Sequence, residues 1–189
     1  MTTEKENATL RAINDAMEDL LRYKPLESIR VSDICAACGI NRQLFYYYYR
    51  DKYDCINSRY KNEANRIFAE MAANASAEDM AFRMLDYMKQ HKDYYAAAFH
   101  YGGQNSFFHY CLDYSYSLNS TVVSQRAAVD GQKVDAELDF GIRFFNSACL
   151  QTTSQWACSG MAEEAKYLAK MMFRSAPAPL QAFYRERDT

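Results

Sequence analysis

The sequence has few of the residues that interrupt helices. Among its 189 residues there are only three prolines and six glycines. The prolines, Pro25, Pro177 and Pro179, all lie near the ends of the chain, so a long stretch is free of helix-breaking proline. No segment shows the alternation of apolar and polar residues that is typical of a strand, and no internal repeat is present. These absences indicate an all-α protein.

Long apolar runs and an export signal are missing as well. No uninterrupted apolar segment reaches the roughly 20 residues that a bilayer span needs. The first residues, Met1 to Glu6, are polar and charged, unlike a secretory signal. We therefore expect a cytoplasmic protein with no membrane partner. Its six cysteines are expected to be reduced thiols and not a disulfide framework.

Motifs for catalysis or cofactor binding are also missing. The sequence has no glycine-rich phosphate loop, no Gly-x-Ser-x-Gly elbow and no His-Glu-x-x-His motif. His91, His100 and His109 are too scattered to indicate a metal motif. Cys35 and Cys38 form a Cys-x-x-Cys pair that could belong to a zinc site or a redox pair, but with no second pair nearby they suit small buried positions. The sequence predicts no enzymatic activity, no metal and no cofactor.

The overall charge does not indicate nucleic-acid binding, because the formal net charge is only −2. A local excess of positive charge is nevertheless present. Between Arg22 and Lys61, eight lysines and arginines stand against four aspartates and glutamates. The rest of the chain is therefore acidic, and this one region is the candidate for contact with a polyanion.

The same region has the pattern of two short helices joined by a tight turn. Ser32 is predicted to cap the first of them through its hydroxyl, and Gly39 can adopt the positive φ that ends it. Asn41 is predicted to cap the second, which runs from Arg42 to about Tyr49. A helix, a glycine-containing turn and a helix form the helix-turn-helix pattern of DNA-reading proteins.

Longer helices are predicted on both sides of this pattern. Apolar residues at helical spacing predict a first helix over about Ala8–Tyr23, ended by Pro25. Asp51 is predicted to cap a fourth helix that continues toward Met71. Further helices are predicted near Ala77–His91, Lys92–Tyr101, Asn105–Asp130, Val134–Ser159, Glu163–Ser175 and Pro179–Arg187.

The segment SIRVSDICAACGINRQLFYYYYRDKYDCI, residues 28–56, resembles the DNA-binding head of the TetR family. The run NRQLFYYYYRDKYD is also similar to the branch of that family related to dihydroxyacetone kinase regulators. The resemblance implies an N-terminal three-helix helix-turn-helix head over residues 1–55. It also implies a C-terminal helical bundle over residues 56–189 for effector binding and dimerisation. The matching positions are Ser32, Ile34, Gly39, Ile40, Phe45, Tyr46, Tyr49 and Lys52.

Several residues of this segment are candidates for DNA contact. Arg42 can offer a bidentate fork to guanine, and Gln43 can pair with adenine. The consecutive Tyr46, Tyr47 and Tyr48 cannot all face a core, because neighbours on a helix point about 100° apart. The resemblance implies base or backbone contacts for Tyr46 and Tyr47 and a phosphate contact for Lys52, whereas Phe45 and Tyr49 suit the core. The predicted DNA-binding set is Ser32, Asn41, Arg42, Gln43, Tyr46, Tyr47 and Lys52.

The rest of the chain is rich in aromatic residues between Tyr94 and Tyr116. Aromatic side chains form ligand pockets between helices as well as ordinary cores. Because the resemblance implies an effector site in this region, the predicted ligand-binding residues are Tyr95, Phe99, His109 and Tyr110. The effector would be a flat or partly polar small molecule, or a protein.

The segment QWACSGMAEEAKYLAKMMF resembles the dimer-forming helices of the family. The alternative for these apolar surfaces is packing within one subunit. Together the features predict a homodimeric transcriptional regulator of near-palindromic double-stranded DNA, acting as repressor or activator, with its reading helices about 34–36 Å apart. Two alternatives remain open. One is a helical protein-binding module that kept the head without DNA affinity, and the other is a thiol-based redox regulator.

Overall fold

The computed structural model describes residues 3–71, 76–103 and 105–184. Over these residues the chain is helical and contains no strand, which confirms the predicted all-α class. A short 3-10 turn, Leu26–Ser28, separates the first two helices. The helices are α1 (Thr3–Leu21), α2 (Val31–Cys38), α3 (Arg42–Tyr48), α4 (Lys52–Met71), α5 (Ala77–Gln90), α6 (Lys92–His100), α7 (Phe107–Val129), α8 (Ala136–Cys158), α9 (Ala165–Arg174) and α10 (Ala178–Tyr184).

The head is built from α1, α2 and α3 around a small apolar core. Ile13, Met17 and Leu21 recur every fourth residue and are buried on one face of α1. This face packs on α2, where Ile34 is fully buried. Phe45 from α3 completes the core. The three helices therefore hold one another through a few large side chains.

Helix α4 connects the head to the rest of the molecule. Cys55, Ile56 and Tyr60 are buried near its start, and Ile67 is buried near its end. The apolar core of the head continues without interruption along this helix to Trp156 of α8. The predicted boundary between residues 55 and 56 thus falls inside a continuous helix.

In the larger part of the molecule, α4 packs against α5 and α7. Helix α5 lies along α9, and α8 packs against both α6 and α7. A second apolar cluster forms where α10 meets α7 and α8, with Val123, Ile142 and Leu180 at its centre. These helices form a bundle that contacts α4 through α5 and α7.

Most predicted helix limits are confirmed to within a few residues. Helix α1 differs most at its start, since it begins at Thr3 and not near Ala8. The predicted end of the last helix, Arg187, lies outside the described residues. The predicted cap of α4 is confirmed, because the backbone N–H of Asp54 donates to the Asp51 carboxylate at 2.8 Å.

The predicted cap of α2 is wrong. Helix α2 begins at Val31 with Arg30 in the capping position, so Ser32 already lies inside the first turn. The backbone N–H of Arg30 donates to the Asp33 carboxylate at 3.1 Å, and this hydrogen bond is the main cause that lowers the pKa of Asp33. A carboxylate in the first turn therefore caps the helix in place of the Ser32 hydroxyl.

Candidate nucleic-acid interface and effector cavity

The second helix of the helix-turn-helix, α3, is anchored to the head along one side. Phe45 is fully buried and Tyr49 is 4% exposed, as the spacing of four residues predicted. The Asn41 side chain accepts from the backbone N–H of Leu44 at 2.8 Å, which confirms the predicted cap. Gly39 ends α2 at φ +69°, in the left-handed region that favours glycine. The turn and the cap together fix the direction of α3.

The opposite side of α3 is open. Arg42 and Gln43 are exposed in its first turn, and Tyr46 and Tyr47 are 48% and 75% exposed in the next. The Arg42 guanidinium donates to the Tyr46 hydroxyl at 3.3 Å, so these two side chains are held side by side. The structure therefore brings four of the predicted DNA-binding residues onto one outward-facing surface, which we call the reading face. Ser32 and Asn41 are exposed as well.

Lys52, the seventh predicted residue, is engaged inside the head. Its ammonium group donates to the backbone carbonyls of Leu26, Glu27 and Ile29 at 2.7, 2.9 and 2.7 Å. An ammonium has three hydrogens, and each has a carbonyl partner here. Burial lowers the pKa of Lys52, against the opposing effect of nearby carboxylates. The Lys52 side chain therefore connects the start of α4 to the segment between α1 and α2.

A charged cluster joins the head to the bundle. The Arg59 guanidinium of α4 donates to the Glu18 carboxylate of α1 at 2.9 Å and to the Tyr87 hydroxyl of α5 at 3.0 Å. The guanidinium also lies 4.4 Å from the centre of the Tyr94 ring. His91, between α5 and α6, places its Nδ1 atom 2.9 Å from Arg59 and 3.0 Å from Glu18. We call Glu18, Arg59 and His91 the junction cluster.

Burial raises the pKa of Glu18, but its hydrogen bonds and charge interactions with His91 and Arg59 together lower it by more, so the net shift is downward. Glu18 is therefore held as a carboxylate between two basic side chains. Arg59 itself is only 9% exposed, so this ion pair lies largely out of water. A pair of this kind favours one relative position of α1 and α4 because separating the partners would leave a charge uncompensated.

A cavity of about 180 Å³ lies within the bundle. Its wall is contributed by α4, α5, α7, α8 and α9. The wall is mostly apolar and includes Met80, Met84 and Met88 along one side of α5. No lysine, arginine, histidine, aspartate or glutamate lines the cavity. The site therefore suits an organic molecule with a large apolar part.

Two asparagines contribute polar groups to the cavity wall. The Asn119 side-chain amide donates to the Asn146 side-chain oxygen at 2.9 Å. Asn146, which is 3% exposed, in turn donates to the Leu112 carbonyl at 3.1 Å. The hydroxyls of Ser115 and Thr153 also line the cavity, but both donate to backbone carbonyls of their own helices.

The four residues predicted to bind the effector do not line this cavity. Tyr95 and Phe99 are buried, with ring centres 5.7 and 4.8 Å from that of Phe107. Tyr110 lies parallel to Tyr114, and His109 is exposed with its Nδ1 atom 2.6 Å from the Ser106 hydroxyl. The aromatic run is thus largely a core.

The cavity-lining residues were missed because they are spread over five helices, most of them as ordinary apolar residues. One sequence signal was available. Met80, Met84 and Met88 repeat every fourth residue on α5, and flexible methionine side chains are common at adaptable binding surfaces.

Large apolar side chains are exposed on the helices predicted to form a dimer. On α8, Phe140 and Phe144 are 69% and 62% exposed, and their nearly parallel rings have centres 6.3 Å apart. On α9, Tyr167 and Met171 are 59% and 40% exposed. Intramolecular packing, the alternative for these helices, leaves these four side chains uncovered.

Other site types find no support within the described part of the chain. No group of three or more His, Cys, Asp and Glu side chains there is arranged to hold a metal ion. The six cysteines are free thiols, and burial raises the pKa of both Cys35 and Cys38, which disfavours reactive thiolates. No described helix has the length and apolar character required to cross a membrane.

Comparisons with known proteins agree with this arrangement. Residues 75–177, more than half of the chain, match the TetR-type family described as the transcriptional regulator C-terminal region. No curated protein matched the sequence. One solved structure with a similar fold is the dihydroxyacetone kinase operon activator DhaS, with 20% sequence identity and a TM-score of 0.70 over 94% of this chain and 98% of that one.

Two regulators named FadR share the fold as well. The fatty acid degradation regulator FadR from Bacillus halodurans has 12% identity and a TM-score of 0.63 over 86% of this chain and 94% of its own. Thermus thermophilus FadR, a repressor solved in complex with lauroyl-CoA, has 14% identity and a TM-score of 0.53 over 95% and 97% of the two chains. With its helix-turn-helix head, its helical bundle and its match to the family over residues 75–177, the chain belongs to the TetR family of transcriptional regulators.

Proposed function

We propose that the protein is a homodimeric, sequence-specific double-stranded-DNA-binding regulator that acts in the cytoplasm and whose DNA affinity is controlled by an effector in the bundle. The reading face of α3 is the observation that carries this proposal. Buried Phe45 and Tyr49 hold one side of a short helix, while Arg42, Gln43, Tyr46 and Tyr47 point outward. A rigid short helix with exposed donors in its first turns is the usual reader of the major groove.

The residues of the reading face would have different roles on DNA. Arg42 can donate two parallel hydrogen bonds to guanine, and Gln43 can pair with adenine. Tyr46 and Tyr47 can reach phosphates or base edges, and Ser32 and Asn41 lie exposed nearby to donate to phosphates. Lys52 would act mainly by holding the loop before α2, since its ammonium is occupied by three carbonyls.

Dimerisation would combine two reading faces on one near-palindromic site. The exposed Phe140 and Phe144 of α8 and Tyr167 and Met171 of α9 support an interface formed by these two helices. Two helices from each subunit would make a four-helix interface with twofold symmetry. The twofold axis would place equivalent helices on successive major grooves.

Effector control would act through α4. Tyr60, Ala64 and Ile67 of this helix line the cavity, and the same helix begins in the head at Lys52. An effector that fits better when α4 is displaced would change the position of the head. The effector can change the equilibrium between the two positions of the head by no more than its difference in affinity for them. The cavity is our proposal for the effector site, in place of the four residues around Tyr95 and Tyr110.

The first experiment is selection of bound duplexes from a random DNA pool at two salt concentrations. We expect enrichment of a near-palindromic sequence and an affinity that falls as salt rises, because phosphate contacts release counterions. Weak binding that depends on salt but selects no sequence would contradict the proposal and favour a protein-binding module.

Variants then test whether residues of the reading face contact DNA. Arg42→Ala should relax base preference at one position of each half-site, with a loss of about 1–3 kcal/mol on the selected sequence. The matched control is Arg83→Ala, since Arg83 is an exposed arginine on α5, away from the head. Equal effects of the two variants would remove Arg42 from the interface.

A further inference from the structure

We propose that the cavity binds a compact neutral molecule with an apolar body and one alcohol or carboxamide group, which is bound by Asn119 and Asn146. This inference rests on the proposed function only in treating the molecule as the effector. Binding to the cavity can be measured without DNA. The two proposals can therefore fail separately.

The size of the cavity limits the ligand. Its volume is about 180 Å³, and an apolar cavity of about 150 Å³ binds benzene. A single ring or a short branched chain with one small substituent therefore fits without rearrangement. Met80, Met84 and Met88 can adjust to the outline of the apolar part, because a methionine side chain has several rotatable bonds.

The wall offers no countercharge to an ionised group that is buried in the cavity. No aspartate, glutamate, lysine, arginine or histidine lines the cavity, so a buried carboxylate or ammonium would have no countercharge. The arginine next to the cavity-lining Tyr60 in the sequence is Arg59, and its guanidinium is already paired with Glu18. The lining residues can therefore recognise the polar group of the ligand only through hydrogen bonds.

The asparagine pair has hydrogen-bonding capacity left over. Asn119 makes one hydrogen bond, as donor to Asn146, so its side-chain oxygen and second N–H remain available at the wall. Ser115 and Thr153 use their hydroxyl hydrogens on backbone carbonyls and can only accept. A ligand group that both donates and accepts matches this arrangement, and alcohols and carboxamides are such groups.

The test is calorimetric titration of the full-length protein with three probes of similar shape. Benzamide has the proposed neutral polar group, benzoate replaces it with a charge, and toluene has no polar group. We expect benzamide to bind about 3- to 10-fold more tightly than toluene, which corresponds to one net hydrogen bond. Benzoate should bind at least about 100-fold more weakly than benzamide, because its charge would be buried without a partner.

Variants test the assignment to the asparagine pair. Asn119→Leu keeps the number and branching of the side-chain heavy atoms but removes the polar groups, so it should remove the preference for benzamide while toluene still binds. The matched control is Asn62→Leu, since Asn62 is an exposed asparagine on α4 and does not line the cavity. Ala81→Phe fills the cavity and should abolish binding of both neutral probes.

Three outcomes would overturn the proposal. The first is benzoate binding as tightly as benzamide, which would require a countercharge that the wall lacks. The second is an unchanged preference for benzamide in the Asn119→Leu variant. The third is no heat of binding for either neutral probe to the wild-type protein near its solubility limit.

Discussion

The charged ammonium group of Lys52 forms its hydrogen bonds within the protein. Its ammonium group holds three carbonyls of the segment between α1 and α2, at distances of 2.7 to 2.9 Å. Two of these carbonyls, those of Leu26 and Ile29, belong to residues with buried side chains. Without the ammonium, these acceptors would lose a charged donor in a region with limited access to water.

We therefore predict that Lys52→Ala acts mainly on stability. The free energy of unfolding should fall by about 1–3 kcal/mol, the usual cost of leaving a buried acceptor without its donor. Urea unfolding followed by circular dichroism measures this loss, and Lys61→Ala, an exposed lysine of the same helix, is the control. Unchanged stability, together with a salt dependence of DNA binding that falls by about one counterion, would instead assign Lys52 to a phosphate.

Gly39 matters for its backbone conformation and not for close packing. Its φ is +69°, and a β-carbon added there would meet no atom within 4 Å. Gly39→Ala should therefore cost about 1 kcal/mol of unfolding free energy from backbone strain alone. Gly102→Ala is the matched control, because Gly102 has the same open surroundings without a positive φ. Equal stability of the two variants would show that the turn before α3 imposes no strain.

At the level of helices, the junction cluster connects the head to the bundle. Glu18 lies on α1, Arg59 on α4 and His91 at the start of α6. The Arg59 guanidinium contacts both other members, within 2.9 Å. Three elements are thus held by one buried arginine, and the strength of the contact depends on the charge of Glu18.

This arrangement predicts a pH dependence of stability. The pKa of Glu18 is lowered from 4.5 in the folded protein, so its contribution is present above about that pH and is lost as pH falls through the folded value. Glu18→Gln should therefore be less stable than the wild type at neutral pH, and the difference should shrink under acid conditions. Urea midpoints measured down to about pH 3 test this.

Glu163→Gln serves as the control for this series, since Glu163 is an exposed carboxylate outside the junction cluster. Its stability should follow that of the wild type at every pH. A constant difference between Glu18→Gln and the wild type across the whole range would show that the charge of Glu18 does not stabilise the junction.

At the scale of the whole molecule, the exposed side chains of α8 and α9 predict the oligomeric state. Phe144 lies beside Phe140 on an open face of α8, 62% exposed in the single chain. Phe144→Asp would place a charge in the proposed interface, so we expect a monomer by light scattering after gel filtration. Affinity for the selected palindrome should fall with it, since one reading face contacts only one half-site.

The control for this change is Val129→Asp at the end of α7, where the valine is 75% exposed and outside both helices of the proposed interface. This variant should remain dimeric. A Phe144→Asp protein that also remained dimeric would place the interface elsewhere.

Much of the fold could be predicted because helix signals are local. The spacing of Phe45 and Tyr49 correctly separated the buried side of α3 from the exposed Tyr46 and Tyr47, and Asn41 was correctly identified as a cap. The prediction of Ser32 as a cap was wrong, although the signal is equally local. The carboxylate of Asp33, one residue away, accepts the hydrogen bond at the start of the helix instead. Propensity alone does not decide between two neighbouring capping side chains.

The sequence by itself determined the helices, their approximate limits and the helix-turn-helix, because periodicity, caps and turn glycines act over a few residues. Only the tertiary structure decided the partners of Lys52, which lie 23 to 26 residues earlier in the chain, and those of Arg59, up to 41 residues away. The cavity likewise exists only where five helices leave space between them. The position of the cavity depends on how those helices pack, and no local sequence pattern specifies that packing.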